Sequence, residues 1–133
     1  LLEYGVFKTS TKASHGSRLW DIYSFILTLL RQDYVDVCVV ENIAAFGKGA
    51  KNKDSYLLPA VFGLVRMAAH VHGVEEFKAY AVTSVKKAMT GSGNARKPEV
   101  RKAVNDYYGI DVKNDDTADA IAVGHAYYKQ SQE

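Results

Sequence analysis

The stretch VDVCVVE, residues 35–41, decides the fold: a short β-branched run ends abruptly in a carboxylate, Glu41. A nearly continuous apolar run of this length predicts a strand over 34–40 that is buried on both faces, as in the middle of an α/β sheet. In open α/β sheets, ligands bind outside the carboxyl ends of the strands, which is where Glu41 stands. A polar residue that leaves a strand for solvent gives the same pattern, so Glu41 alone leaves both interpretations open.

The stretch DTAD, residues 116–119, opens the last predicted helix. Asp116 and Asp119 are spaced i and i+3, so both side chains project from the same face of its first turn. Acids in a first turn also stabilise the positive end of the helix dipole, and that alone would account for Asp116. Asp119 is harder to explain in this way because it lies one turn in. Together with Glu41, the two aspartates could converge on a site for divalent metal ions.

The chemistry of these three side chains indicates which metal and which reaction. Hard oxygen ligands select Mg²⁺ or Mn²⁺ over zinc, which prefers nitrogen and sulfur. Two such ions about 4 Å apart can activate a water and stabilise the leaving oxygen in phosphodiester hydrolysis. We therefore interpret the three carboxylates as a nuclease site. Most two-ion sites need a fourth carboxylate, and this sequence shows no candidate for one on a central first strand.

The overall composition is that of an ordinary globular protein. With 133 residues, 47% of them hydrophobic, the chain is long enough for one domain, residues 1–133, with a real core. Its apolar stretches are too short to cross a bilayer, and no signal peptide stands at the front. The one cysteine, Cys38, is best explained as a small core side chain. We therefore expect a cytoplasmic protein with no membrane partner.

The charge is unevenly distributed, although the net charge is only +2. Residues 86–102 carry six bases against one acid, and residues 106–119 carry five aspartates against one lysine. A basic patch beside an acidic cluster suits a metal-dependent enzyme that acts on polyanions. Two solvated faces of opposite sign would produce the same pattern.

Strands alternate with helices along the chain, which predicts a single α/β domain. Residues 1–9, LLEYGVFKT, alternate apolar and polar side chains and predict a strand. We predict a second short strand over 78–82. The predicted helices are 17–32 with a cap at Gly16 or Ser17, about 54–70, 84–89, 98–108 before Gly109, and 116–129 with Asp115 or Asn114 as its cap.

Two segments have features of nucleic-acid contacts. In the glycine-rich residues 44–53, Phe46, Lys48 and Lys51 could contact phosphate and wedge against a base, although a plain solvated loop is equally consistent. Residues 84–97 predict a helix, a glycine turn and the start of another helix. Backbone amides of such a turn, with lysines on both sides, can grip a phosphate.

The order of these motifs resembles that of the RuvC-type Holliday junction resolvases. The divergent sequence resembles a phage member of that family more than a bacterial one. VVENI, residues 39–43, resembles the family's second catalytic motif. Ser84–Lys87, Gly91–Gly93 and Lys97 resemble its DNA-contacting segment, and DTADAIA, residues 116–122, resembles its closing motif. Each motif alone is weak, but the ordered set is specific and covers nearly the whole chain.

The resemblance implies a ribonuclease H-like mixed sheet flanked by helices, a homodimer, and paired nicking of branched DNA such as a four-way junction. It implies that Glu41, Asp116 and Asp119 ligate two Mg²⁺ or Mn²⁺ ions. It further implies that Lys86 and Lys97 approach the scissile phosphates and that the helix from about residue 57 to 70 helps to form the dimer. The expected DNA surface comprises Lys86, Lys87, Arg96, Lys97, Phe46, Lys48 and Lys51.

The chain departs from the family pattern at two places. The family's aromatic wedge follows the strand glutamate by three residues, where this chain has Ala44, so the wedge is absent or moved to Phe46. The family's first catalytic aspartate lies on its first strand, whereas residues 1–9 match a later hairpin strand. We expect the missing N-terminal strand region to precede residue 1. Two alternatives to a structure-selective endonuclease stay open: a branched-DNA-binding protein on the same fold that does not cleave, and another ribonuclease H-like enzyme such as an RNase or an exonuclease.

Overall fold

The computed structural model of the protein describes residues 1–42 and 57–133. In chain order the elements are α1 (His15–Gln32), β1 (Val37–Glu41), α2 (Leu57–Val71), β2 (Glu76–Tyr80), α3 (Val82–Thr90), α4 (Lys97–Tyr108) and α5 (Asp115–Ser131). This alternation confirms the predicted α/β class. Among the residues described, no helix is both long and apolar enough to cross a membrane.

The chain divides into two compact units. The first contains Leu1–Val6, Val39–Asn42 and Ala79–Glu133, and the second contains the described residues of 7–38 and 57–78. In the second unit α1 packs against α2, and the ring of Phe7 stacks on that of Phe25 at 4.3 Å between centroids. A single domain over residues 1–133 stays a prediction.

Three helices, α3, α4 and α5, pack against one another in the first unit. Val100 and Val104, one turn apart on α4, are fully buried between them. On α5, Ala118, Ala122 and Ala126 are spaced four residues apart and are also buried. Small side chains on one helix face let neighbouring elements approach closely. The helix that carries the two aspartates is therefore held in the core of its unit.

Local signals fix the ends of α4 and α5. Pro98 lies in the first turn of α4, and the helix ends at Gly109, whose φ of 65° is a left-handed conformation that glycine adopts readily. Asn114 caps α5 by accepting a hydrogen bond from the backbone N–H of Thr117 at 3.1 Å. These boundaries lie within two residues of the predicted 98–108 and 116–129.

The predicted N-cap of α1, Gly16 or Ser17, was wrong. Ser14, not Ser17, is the cap, and its hydroxyl accepts a hydrogen bond from the Ser17 N–H at 3.2 Å. Both serines suit a cap, and only the hydrogen bond distinguishes them. The predicted start of α2 at Asp54 or Ser55 lies outside the described residues.

β1 and β2 form a two-stranded sheet in the described part of the chain. The Asp36 carbonyl accepts a hydrogen bond from the Glu76 N–H at 3.1 Å, and the Asn42 N–H donates to the Tyr80 carbonyl at 2.7 Å. Both strands advance in the same direction between these bonds, so they run parallel.

Two strand predictions need correction. β1 is half-buried along its whole length rather than buried on both faces, because β2 is its one hydrogen-bonded neighbour among the described residues. β2 covers 76–80 instead of 78–82, and the first helical residue of α3 is already Val82. The β propensity of Val82 is overridden by the start of that helix.

The predicted strand over residues 1–9 is absent from the structure. Leu1, Tyr4 and Gly5 instead line a cavity of about 610 Å³ with residues of α4 and α5. Alternation of apolar residues yields a strand only where another strand accepts its ladder hydrogen bonds. No strand pairs with this segment within the ranges described.

Candidate active site

Glu41, Asp116 and Asp119 line one pocket of about 330 Å³ in the first unit. Glu41 is the last residue of β1, and the aspartates lie at the second and fifth residues of α5. The remaining walls come from Val39, Val40, Ala120 and Val123. The structure thus brings together the three carboxylates that the sequence singled out.

The carboxylates in this pocket repel one another. Partial burial is the largest cause that raises the pKa of Glu41, and the negative charges of Asp119 and Asp116 raise it further. The pKa of Asp119 is raised for the same reasons, first by burial and then by neighbouring aspartates. Negative charge held in partial burial creates a site where a cation would be favoured.

Two lysines counteract this repulsion. The positive charges of Lys97 and Lys86 both act to lower the pKa values of Glu41 and Asp119. The Lys97 ammonium lies 3.9 Å from the nearer carboxylate oxygen of Asp119, and its side chain is 61% exposed. The segment that comprises α3, the glycine turn after it and the start of α4 therefore places two lysine side chains beside the carboxylates.

The other predicted DNA contacts lie elsewhere. Lys87 lines a separate cavity of about 520 Å³ with Lys129, because adjacent residues on a helix point about 100° apart. Arg96 is exposed just before α4. Phe46, Lys48 and Lys51 fall outside the described residues. The structure thus groups Lys86 and Lys97 with the carboxylates and does not place Lys87 there.

The carboxylates of the pocket are spaced more widely than the ligands of one bound ion would be. Across residues 1–42 and 57–133, no three acidic, histidine or cysteine side chains are close enough to hold one ion together. His125 lines the cavity of about 610 Å³, and its Nδ1 lies 2.8 Å from the Tyr108 hydroxyl. The available donors are therefore carboxylate oxygens, which suit a hard cation such as Mg²⁺.

Sequence reasoning missed one ion pair next to the pocket. Arg101 Nη1 lies 2.8 Å from the carboxylate of Asp115, the residue before Asp116. The four-residue spacing of Lys97 and Arg101 placed both on one face of α4, but nothing in the sequence showed which element that face meets.

Comparison with known proteins gives one consistent result. The sequence model of the family described as "Crossover junction endodeoxyribonuclease RuvC" matches residues 1–126. The protein of that name from Brachyspira hyodysenteriae is 27% identical over 132 residues, covering 99% of this chain and 80% of the relative. The one from Ehrlichia ruminantium is 33% identical over 130 residues, covering 96% of this chain and 79% of the relative.

Solved structures give the same result. The Thermus thermophilus RuvC structure superposes with a TM-score of 0.81 at 26% identity, covering 98% of this chain and 76% of that one. T. thermophilus RuvC in complex with a Holliday junction substrate superposes with a TM-score of 0.84 at 27% identity, covering 98% and 78% of the two chains. These likenesses confirm the predicted fold class.

Proposed function

The chain belongs to the RuvC family of crossover junction endodeoxyribonucleases, and from this premise we propose that it is a structure-selective endonuclease that resolves Holliday junctions and other branched DNA. It has the ribonuclease H-like fold of that family. The observation that carries the proposal is the single pocket that holds Glu41 from β1 with Asp116 and Asp119 from α5. A relative with a similar fold is solved with a Holliday junction bound, which supports the choice of substrate.

The family is metal-dependent, and the proposed metal is Mg²⁺, with Mn²⁺ as a substitute and two ions in each site. Glu41, Asp116 and Asp119 would ligate them, since these side chains supply hard oxygen donors and repel one another when no cation is near. When bound, such ions activate the attacking water and stabilise the leaving oxygen of the phosphodiester.

Lys97 and Lys86 bind the substrate in this proposal. The Lys97 ammonium is mostly exposed and lies at the rim of the carboxylate group, where it can contact a phosphate oxygen of the bound strand. Lys86 is half-buried on α3 and adds a second positive charge felt by Glu41 and Asp119. Together they attract the scissile phosphate and stabilise the negative charge that develops on it during cleavage.

A homodimer would supply two such sites for paired nicks. We propose that α2 lies in the dimer interface, because it exposes Leu58, Met67 and Val71, large apolar side chains that a partner surface would cover. Lys87 and Arg96, with Phe46, Lys48 and Lys51, would extend the DNA surface beyond the catalytic pocket. These assignments are part of the same proposal.

A second candidate is a protein on the same fold that binds branched DNA without cutting it. The spacing of the carboxylates favours this alternative, because in the described ranges no three of them approach closely enough to hold one ion. The two functions differ in one observable: metal-dependent nicking as opposed to metal-independent binding.

The test uses a labelled four-way DNA junction, Mg²⁺ and the variant Asp119→Asn. We expect the wild-type protein to nick the junction and the variant to lose nicking by at least about hundredfold while it still binds the junction, since one ligand is lost and the basic surface remains. Asp106→Asn, an exposed aspartate on α4 outside the pocket, is the matched control. Equal nicking by Asp119→Asn and the wild type would refute the site assignment, and stronger competition by an RNA–DNA hybrid than by unlabelled junction would refute the substrate.

A further inference from the structure

One face of α4 is fastened to the beginning of α5. Lys97, Arg101 and Asn105 repeat at four-residue steps on α4, so their side chains share one face. We propose that Arg101 and Asn105 are positioning residues that hold the segment with Asp116 and Asp119 in the register that cleavage requires. This inference rests on the proposed nuclease function.

Three contacts connect α4 to the segment that runs from Val112 into the first turn of α5, and we call them the ladder. Lys97 approaches Asp119 at 3.9 Å, and Arg101 approaches Asp115 at 2.8 Å. Asn105 contacts the backbone of Val112. The α4 residues rise from 97 to 105 as their partners fall from 119 to 112. Such a ladder fixes the two segments against sliding, because a shift would break all three contacts.

Asn105 makes hydrogen bonds in the ladder with both its side chain and its backbone carbonyl. Its Oδ1 accepts a hydrogen bond from the Val112 N–H at 2.8 Å, and its Nδ2 donates to the Val112 carbonyl at 2.9 Å. Its own carbonyl accepts from the N–H groups of Gly109 and Ile110. One residue therefore anchors the connection from α4 towards α5 at three points.

Arg101 acts closer to the pocket. Its ion pair with Asp115 is half-buried, with the two side chains 35% and 37% exposed. Asp115 precedes Asp116 directly, and its negative charge contributes to the raised pKa of Asp119. Without Arg101, Asp115 would lose its partner and stand uncompensated beside the pocket carboxylates. The first turn of α5 would then lose its ion pair with α4 and the positive charge that neutralises Asp115.

The chain offers a matched control on the same helix. Lys102 and Asp106 form an ion pair of 2.6 Å within α4, and both side chains are mostly exposed. This pair has the same charges as Arg101 and Asp115 but connects residues of one helix. Lys102→Met changes the charge of α4 by the same amount as Arg101→Met, but it leaves the three contacts of the ladder intact.

The experiment compares Arg101→Met, Asp115→Asn, the double variant and Lys102→Met. Single-turnover nicking with Mg²⁺ reports the chemical step, and junction binding with Ca²⁺ in place of Mg²⁺ reports affinity. We expect each ladder variant to nick about tenfold more slowly with affinity changed less than about twofold, because small displacements of reacting groups cost rate rather than binding. The double variant should be no slower than either single one. Lys102→Met should stay within about twofold of the wild type, and Arg101→Lys should recover most of the rate.

A different pattern would overturn the inference. If Arg101→Met weakens junction binding and Asp115→Asn leaves nicking unchanged, Arg101 contacts DNA and does not position α5. Additive losses in the double variant would also contradict a shared tether.

Mn²⁺ binding distinguishes failure of the proposed nuclease function from failure of this inference. Binding is measured from the electron paramagnetic resonance signal of the free ion. If the wild type binds Mn²⁺ but does not nick, the proposed function fails and the inference is tested on the metal alone. Arg101→Met and Asp115→Asn should then weaken Mn²⁺ binding about tenfold, and unchanged affinity would overturn the inference. A wild type that neither nicks nor binds Mn²⁺ overturns both proposals.

Discussion

Replacing Asn105 by alanine should destabilise the protein by about 2–4 kcal/mol. The side chain makes two hydrogen bonds to the backbone of Val112, at 2.8 and 2.9 Å, and each contributes roughly 1 kcal/mol net. Val112 is only 6% exposed, so its N–H and carbonyl would lose their partner in a place that water reaches poorly. An unsatisfied buried group costs about 1–3 kcal/mol, which carries the total above the two bonds alone.

The assay is urea unfolding followed by circular dichroism. We expect a lower midpoint with an unchanged slope, because the surface exposed on unfolding is nearly the same. Asn105→Asp keeps the acceptor for the Val112 N–H but turns a carboxylate oxygen toward the Val112 carbonyl, so it should lose at least as much stability as Asn105→Ala. Lys102→Met, on the exposed side of the same helix, should stay within about 0.5 kcal/mol of the wild type. A loss below about 0.5 kcal/mol in Asn105→Ala would refute the reasoning, since Val112 would then be satisfied by other groups.

Three further predictions concern the core and α5. Val104→Ala removes two carbons from a fully buried site and should cost about 2–3 kcal/mol of unfolding free energy in the same urea assay, whereas Val6→Ala at an exposed site should cost little. Gly109→Ala forces a side chain into a φ of 65° and should cost about 1–2 kcal/mol, so an unchanged midpoint would contradict the left-handed turn. Burial, then the charge of Lys129, lowers the pKa of His125 below its ordinary 6.5. Below about pH 6.5 the unfolded chain therefore binds more protons at this residue than the folded protein does. The stability that neutral His125 contributes is complete above that pH, and it is lost as the pH falls through the folded pKa. Thermal midpoints at pH 7.5 and 5 should differ more for the wild type than for His125→Phe, and equal differences would exclude this residue as the cause.

The features that sequence reasoning predicted correctly depend on neighbours in the chain. Pro98 and Gly109 bound α4 through backbone conformation, and Asn114 caps α5 through a hydrogen bond three residues away. The i, i+3 spacing placed Asp116 and Asp119 on one face, and they do line one pocket. The family resemblance drawn from the ordered motifs is confirmed by the match over residues 1–126.

The features that it missed depend on contacts across the fold. The alternation in residues 1–9 could not reveal that no strand in the described ranges pairs with them. The cap of α1 is a local exception, because Ser14 and Ser17 both suit a cap and only one hydrogen bond distinguishes them. The ladder of Arg101 and Asn105 requires knowing that α4 faces the start of α5, and spacing along one helix carries no such information.

The most direct test of the account is the rate at which the protein nicks a labelled four-way junction in Mg²⁺, measured beside Glu41→Gln. Glu41 comes from β1, and the pocket aspartates come from α5, so the measurement asks whether the two elements form one site. We expect Mg²⁺-dependent nicking by the protein and a loss of at least about hundredfold in Glu41→Gln with junction binding retained. Nicking by Glu41→Gln at the rate of the unmodified protein would contradict it.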